Sequence, residues 1–324
     1  MTKGLSLRWD KNSIQRQWKP IDFDYPGTLS EIEREYCRYY GINFENDFSH
    51  LVHGFGYCQL ADFRLATHYF RPRLGLSKGT VLLLHGYFDH AGLFQHIIRF
   101  SLEQDYSVLI YDLPGHGLST GEPAGINNFQ QYVEVLHHYV TVCQSHFDEP
   151  WSLLGQSTGG AIAMAYLMAH RFDQINNPFK NIFLLAPLVR PLGWKRLLWL
   201  YAASKHWVKS VERKFMPCSH DAGFIDFLTN KDPLQYRRIP LSWVAALIDW
   251  ASAFERLKPS PLSPIIIQGG EDTTIDWQYN LRVIDKNFNR PKIHFLPQAR
   301  HHLVNESNEF REPLFDLLEI YFKQ

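Results

Sequence analysis

Leu154-Gly155-Gln156-Ser157-Thr158-Gly159-Gly160 reads Gly-x-Ser-x-Gly, and its flanks decide how the chain folds. Before it stands Trp151-Ser152-Leu153-Leu154, a short apolar strand signal. After it, residues 161–169 are rich in helix formers. A strand, a sharp turn with a serine at its tip and a helix make a nucleophile elbow. Glycines allow the close backbone approach that such a turn needs. The following helix aims its first N–H groups at the serine, where they would stabilise an oxyanion. The same residues also fit an ordinary strand–helix connection with a surface serine. It is the context on both sides that favours the elbow.

Outward from that turn, strand and helix signals alternate. Thr80-Val81-Leu82-Leu83-Leu84 is a continuous apolar run, as expected of a strand buried on both faces, and it ends in His85-Gly86-Tyr87-Phe88-Asp89-His90. A helix is predicted over 93–103 and a strand over 107–111. That strand ends in Asp112-Leu113-Pro114-Gly115-His116-Gly117-Leu118-Ser119. A helix over 127–145 leads into the elbow strand, and a strand over 181–186 follows the elbow helix. This alternation predicts a mostly parallel, doubly wound sheet flanked by helices, with its site at the carboxyl ends of the strands.

Upstream, residues 1–27 read as an irregular arm. Thr28 is the expected cap of a helix ending at Gly41, with Glu31 completing a capping box and Ile32, Tyr36 and Tyr39 on one face. Residues 55–70 alternate as an antiparallel pair. The pattern breaks over 190–263, where no good strand appears and prolines separate helical stretches. An all-helical insertion between two strands is expected to sit over the site as a cap; the alternative is a separate helical domain. A strand over 264–268, a helix over 277–287, a strand over 293–296 and a closing helix over 307–322 complete the pattern. The expected organisation is an N-terminal arm and helix (1–50), a core (51–189 with 264–324) and a helical cap or lid (190–263).

A serine is a weak nucleophile until a base takes its proton, and the base needs a partner that fixes its tautomer. The order expected behind this elbow is Ser, then Asp or Glu, then His. The strand near 265 ends in Gly269-Gly270-Glu271-Asp272-Thr273-Thr274-Ile275-Asp276. Asp272, directly after the glycines, is the first choice of acid. Asp276 is better placed to cap the next helix, and Glu271 is an outside candidate. The next strand ends in Pro297-Gln298-Ala299-Arg300-His301-His302, and one of these two histidines is the expected base. Oxyanion donors are expected from the backbone N–H of Thr158 and of Tyr87. His85 and His90 have no third ligand at suitable spacing, so neither a metal nor a cofactor is expected.

The composition narrows the classes. Lys+Arg and Asp+Glu balance at 33 each, so no global field points to nucleic acid. The cysteines Cys37, Cys58, Cys143 and Cys218 are scattered, which suits a reducing compartment. With no apolar signal core near the start and no run long enough to span a bilayer, a cytoplasmic protein is expected.

Taken together, these motifs resemble the monoacylglycerol lipase and lysophospholipase branch of the α/β-hydrolases. His85 to His90 looks like that branch's His-Gly-x-x-Glu-His loop, with Asp89 where Glu is usual. Asp112 to Ser119 matches its Asp-x-x-Gly-His-Gly-x-Ser turn. Gly155 to Gly160 resembles Gly-His-Ser-Met-Gly-Gly, departing at Gln156 and Thr158. Asp232-Pro233-Leu234, Gln268 to Asp272, and Ala299 through Glu306 resemble its cap Asp-Pro-Leu and its acid- and base-bearing segments. The resemblance runs from about residue 80 to the C-terminus. It implies the α/β-hydrolase fold, with Ser157 as nucleophile, Asp272 as acid and His301 as base. It also implies hydrolysis of carboxylic esters of single-chain lipids through an acyl-enzyme.

The expected cap carries Trp194, Leu198, Tyr201, Val208, Val211 and Phe215 at helical spacing, with Lys205, Lys209 and Arg213 as a basic row. A basic, aromatic, amphipathic segment suits peripheral contact with a membrane surface, and equally a solvated helix face. Trp243, Leu247, Trp250, Phe254 and Leu257 form a second stripe that either packs or walls an acyl pocket. Two other functions compete. An aminopeptidase of the proline-iminopeptidase kind needs an acidic group in the cap for the substrate amine. A non-catalytic binding protein on a hydrolase scaffold would need no working triad.

Overall fold

A computed structural model describes residues 9–48, 50–72 and 77–324. The first eight residues of the expected arm lie outside the described residues. Ten strands are named in chain order. They are β1 (Leu51–Leu60), β2 (Phe63–Pro72), β3 (Thr80–Leu84), β4 (Ser107–Tyr111) and β5 (Trp151–Gln156), then β6 (Phe179–Leu185), β7 (Ser210–Glu212), β8 (Arg238–Pro240), β9 (Ile265–Gly269) and β10 (Lys292–Leu296). Eight of them form one sheet in the order β1-β2-β4-β3-β5-β6-β9-β10. The β1–β2 and β2–β4 pairs are antiparallel, and the other five pairs are parallel.

The parallel centre is apolar for a physical reason. Every residue of β3, β4 and β5 is buried, because helices cover both faces. The helices of the doubly wound part are α3 (Gln95–Glu103), α4 (Gln130–Cys143), α5 (Thr158–Ala169), α9 (Trp277–Asn287) and α10 (Asn308–Phe322). Helix α5 is apolar all round and buried from Thr158 to Leu167, as a helix with no solvent face must be. Its Ile162, Met164 and Leu167 each contribute roughly 1.5–3 kcal/mol by leaving water.

The N-terminal segment contains more structure than the expected arm. Helix α1 (Lys11–Gln17) is capped by Asp10, and α2 (Glu31–Tyr40) follows. In α1 only Ile14 is buried, so it has no apolar stripe to betray it. The cap of α2 is Ser30, not Thr28. The Ser-x-x-Glu spacing that closes is Ser30 with Glu33, whose carboxylate accepts from Ser30 N (2.7 Å) and Oγ (2.8 Å). The buried face is therefore Glu33, Tyr36, Cys37 and Tyr40, rotated from the expected one. Lys19 and Ile21 pair with Tyr57, shielding the β1 edge of the sheet.

Between β6 and β9 the chain builds the insertion from α6 (Trp194–Ser204), α7 (Ala222–Asp226) and α8 (Leu241–Phe254). It is not all-helical. Ser210–Glu212 and Arg238–Pro240 pair antiparallel as β7 and β8. Three-residue strands from distant positions carry no periodic signal, so only the closed pairing reveals them. Helix α6 also stops at Ser204, so Lys205, Lys209 and Arg213 do not share a helix face. The N-terminal segment braces the insertion. Tyr40 Oη donates to Asp232 (2.7 Å), Tyr39 Oη donates to Lys231 O (2.7 Å), and Lys11 Nζ donates to Tyr236 Oη (3.0 Å). No described helix is long and apolar enough to cross a membrane.

Candidate active site

The strand–turn–helix around Ser157 forces unusual backbone. Ser157 has φ +54° and ψ −110°, a strained conformation for a residue with a side chain. The residues two positions to either side must be glycine. A Cβ on Gly159 would stand 2.1 Å from Leu84 O, and one on Gly155 would stand 2.5 Å from Gly159 C. The strain lifts Ser157 to the carboxyl edge of β5 at the start of α5.

Two other strand ends converge on it. Asp272 follows β9 and His301 follows β10. His301 Nδ1 lies 2.7 Å from Asp272 Oδ2, and His301 Nε2 lies 2.9 Å from Ser157 Oγ. An ionised carboxylate only accepts, so Nδ1 carries the proton and Nε2 accepts from the serine hydroxyl. Burial of Asp272 opposes its ionisation. The charge and hydrogen bond of His301, with donations from Thr274 N and Gln268 Nε2, outweigh that and hold the carboxyl below its ordinary value. Glu271 instead approaches His220 (3.5 Å), and Asp276 caps α9 by accepting from Tyr279 N (3.2 Å).

His302 points elsewhere. Its Nε2 is 3.1 Å from Asp89 Oδ2, which also accepts from Gly86 N (3.1 Å). That pair shapes the loop of Tyr87, whose ring stacks on Trp243 at 3.7 Å and whose hydroxyl donates to Ala124 O (2.7 Å). Thr158 opens α5, so its N–H has no acceptor inside the helix. Tyr87 and Thr158 both line the cavity that Ser157 and His301 open into.

The remaining motif residues hold this frame. His85 Nε2 accepts from Leu113 N (2.8 Å), and burial pushes its pKa down to about 3, so the ring stays neutral. Asp112 accepts from Ala91 N (2.7 Å) and Leu118 N (2.8 Å). His90 Nε2 meets Asp232 Oδ2 at 3.0 Å, joining core to insertion. Gln156 Nε2 donates to His301 O (2.9 Å), and the buried Glu306 accepts from Arg300 N (2.6 Å). Both act on the backbone of the His301 turn. Glu306 was visible in the sequence as part of the resemblance; the reach of Gln156 was not, because nothing local places it against a residue 145 positions away.

Asp89 yields a test in acid. Burial opposes its charge, but His302 and the nearby histidines His85 and His90 pull its pKa down to about 2. Its folded value lies below its unfolded one, so its stabilisation is present above about pH 4 and is lost as pH falls toward 2. The drop amounts to about 2 kcal/mol. Acid unfolding of the wild type and Asp89→Asn is expected to show that slope in the first and a flatter one in the second.

The cavity has a volume of ≈780 Å³ and is roofed by the insertion. Leu197, Leu200, Tyr201, Ile239 and Val244 line it with Trp243, so the second apolar stripe both packs, at Leu247 and Phe254, and walls the cavity. Arg196, Arg213 and Lys214 face it, against Asp89 as its one carboxylate among the described residues. Away from the cavity, ligating atoms of the buried Cys37, His53 and His68 lie within 4.8 Å of one another, a spacing that could hold a metal ion. In the structure His53 Nε2 and His68 Nδ1 share a hydrogen bond of 3.1 Å.

A family model described as Hydrolase_4, serine aminopeptidase S33, matches residues 75–308. The chain belongs to this family. Its curated relatives include monoglyceride lipases, to which it is similar along most of its length. The monoglyceride lipase of Mus musculus is 26% identical over 270 residues, which is 80% of this chain and 84% of its own. That of Homo sapiens is 32% identical over 144 residues, 44% of each chain. The solved monoacylglycerol lipase of Paleococcus ferrophilus has a TM-score of 0.66 at 17% identity, covering 81% of this chain and 99% of that one. A soluble variant of the Saccharomyces cerevisiae monoglyceride lipase, solved with a substrate analog, also scores 0.66 at 17% identity, covering 84% and 95%. At such identities the structural likeness speaks for the fold.

Proposed function

We propose that this Hydrolase_4 protein is a serine hydrolase that cleaves carboxylic esters of single-chain lipids. The observation that carries the reading is a hydrogen-bonded Ser157–His301–Asp272 chain opening into a large, largely apolar cavity. Ser157 Oγ attacks the ester carbonyl as His301 Nε2 takes its proton. Asp272 stabilises the imidazolium, and the N–H groups of Tyr87 and Thr158 receive the oxyanion. His301 then protonates the leaving alcohol. Water, deprotonated by His301, releases the fatty acid from the acyl-enzyme. The names of the relatives favour lipid esters as substrates.

Residues 190–263 act as the lid of this site. Trp199 (69% exposed) and Trp207 (87% exposed) stand on it beside Lys195, Lys205 and Lys209, and we assign it a peripheral membrane contact from the cytoplasmic side.

The family's description favours a second reading, an aminopeptidase. Such an enzyme needs a carboxylate for the substrate ammonium. Asp89 is held by His302, Asp232 by His90 and Tyr40, and Asp226 by Lys231, whereas the cavity wall is basic. The deciding experiment is a panel of short-chain esters, monoacylglycerols, lysophospholipids and a proline amide, with lipids also presented in anionic vesicles. Cleavage of long-chain lipid esters, faster on vesicles and slowed by Trp207→Ser, is the expected result. Cleavage of the amide alone would establish the aminopeptidase, and no cleavage with no fluorophosphonate labelling would establish a binding protein.

A further inference from the structure

Because α6 ends at Ser204, the basic residues after it part company. Lys205 and Lys209 face solvent, while Arg213, one residue past β7, turns onto the cavity wall. Its position is built. The Arg213 backbone N–H donates to Arg237 O (2.9 Å), and its Nη1 donates to Gln235 Oε1 (2.6 Å) and Tyr236 O (3.3 Å). The guanidinium lies 3.9 Å from the ring centre of Phe88 and 4.2 Å from that of Phe215. Gln235 Nε2 in turn donates to Phe88 O (3.0 Å) and Asp232 Oδ2 (2.8 Å). One amide therefore ties this cation to the loop that presents Tyr87 to the serine.

Among the described residues, no carboxylate lies within ion-pair distance of Arg213. Asp89 shares its cavity but is taken by His302 and Gly86. Burial pulls the guanidinium down to about 10. A part-buried charge is costly unless something pairs with it, and here the open side is the cavity. Guanidinium forks match phosphate oxygens two at a time, and an aromatic face is a common resting place for them.

We propose that Arg213 is a specificity-determining residue that binds an anionic phosphate head group, so that the site prefers single-chain lipid esters carrying an exposed phosphate to neutral monoacylglycerols. The inference rests on the lipid-ester reading of the cavity. With the ester carbonyl at Ser157, the apolar walls take the acyl chain and Arg213, with Arg196 and Lys214 also lining the cavity, takes the head group.

The test compares kcat/KM on oleoyl-lysophosphatidic acid and on 1-oleoylglycerol in mixed micelles of fixed composition, for wild type, Arg213→Gln and Arg213→Lys. The wild type is expected to favour the phosphate-bearing lipid by about tenfold or more. Arg213→Gln is expected to lower that ratio about 10- to 100-fold through KM, with Arg213→Lys in between and high salt weakening the preference. A companion measurement needs no variant: 1-O-hexadecylglycerol 3-phosphate should inhibit the wild type more strongly than 1-O-hexadecylglycerol. Equal inhibition by the two ethers, or one preference ratio shared by all three proteins, overturns the assignment of Arg213 while leaving ester hydrolysis standing. A wild type that cuts no lipid ester overturns both readings.

Discussion

Replacing Ser157 with alanine is expected to lower kcat for ester cleavage about 10⁴- to 10⁶-fold. The size follows from how the three side chains work together. His301 Nε2 has Ser157 Oγ at 2.9 Å, and its orientation is fixed on the other side by Asp272 at 2.7 Å. On the proposed mechanism, removing the hydroxyl leaves no acyl-enzyme, and the proposed base and oxyanion donors are left to act on water alone. Asp272→Asn should cost about 10⁴-fold, because an amide can present a donor to Nδ1 and turn the ring to the wrong tautomer. Steady-state hydrolysis of a chromogenic ester and labelling by a fluorophosphonate measure both effects. Neither change should unfold the protein, since the backbone strain at Ser157 is set by the turn and survives in alanine. A Ser157→Ala protein retaining activity within tenfold of wild type would falsify the assignment of the nucleophile.

Asp232→Ala is expected to destabilise the protein by about 3–5 kcal/mol. Asp232 and His90 are both buried, with His90 Nε2 3.0 Å from Asp232 Oδ2. The same carboxylate accepts from Tyr40 Oη (2.7 Å), Leu234 N (3.0 Å) and Gln235 Nε2 (2.8 Å). Removing it strands four donors in the seam between core, insertion and α2. Burial opposes a charged His90, but Asp232 and Asp112 outweigh it and raise its pKa. A raised histidine value means stabilisation that is complete below the unfolded pKa and fades as pH rises through the folded one. The difference between wild type and variant should therefore be larger at pH 6 than at pH 9. Denaturant unfolding of wild type, Asp232→Ala, His90→Leu and the double variant measures it, with the double variant less unstable than the sum of the singles. A cost below about 1 kcal/mol for Asp232→Ala would show that the seam is not held there.

Both predictions start from residues that stand out in the sequence, but to different degrees. The elbow is legible because strand, glycine-flanked serine and helix are adjacent in the chain, and local grammar suffices. The order Ser157, Asp272, His301 follows because each sits where a parallel strand ends, and a doubly wound sheet delivers all such ends to one edge. His301 and His302 are a different matter. Adjacent residues on one turn point in different directions, and only the path of the chain after β10 decides that one meets Ser157 and the other Asp89.

The misreadings also have local causes. Thr28 and Ser30 each begin a Ser/Thr-x-x-Glu match, and the choice falls to the one whose helix face, through Tyr36 and Tyr40, packs on the core. The basic row through Lys205, Lys209 and Arg213 presumed a helix that ends at Ser204. The pairing of β7 with β8 replaces it, and that pairing depends on residues more than twenty positions away.

By itself, then, the sequence determined the alternation of strands and helices, the elbow and the type and chain order of the side chains that meet at it. These depend on short-range propensity and on backbone sterics, which neighbouring residues settle among themselves. The resemblance singled out His301; tertiary structure decided that His302 turns to Asp89, how Asp232 locks the insertion to the core through His90 and Tyr40, and that Arg213 faces the cavity without an ionic partner among the described residues. Those are matters of side-chain direction and of burial between distant segments, and a chain has neither until its packing is complete.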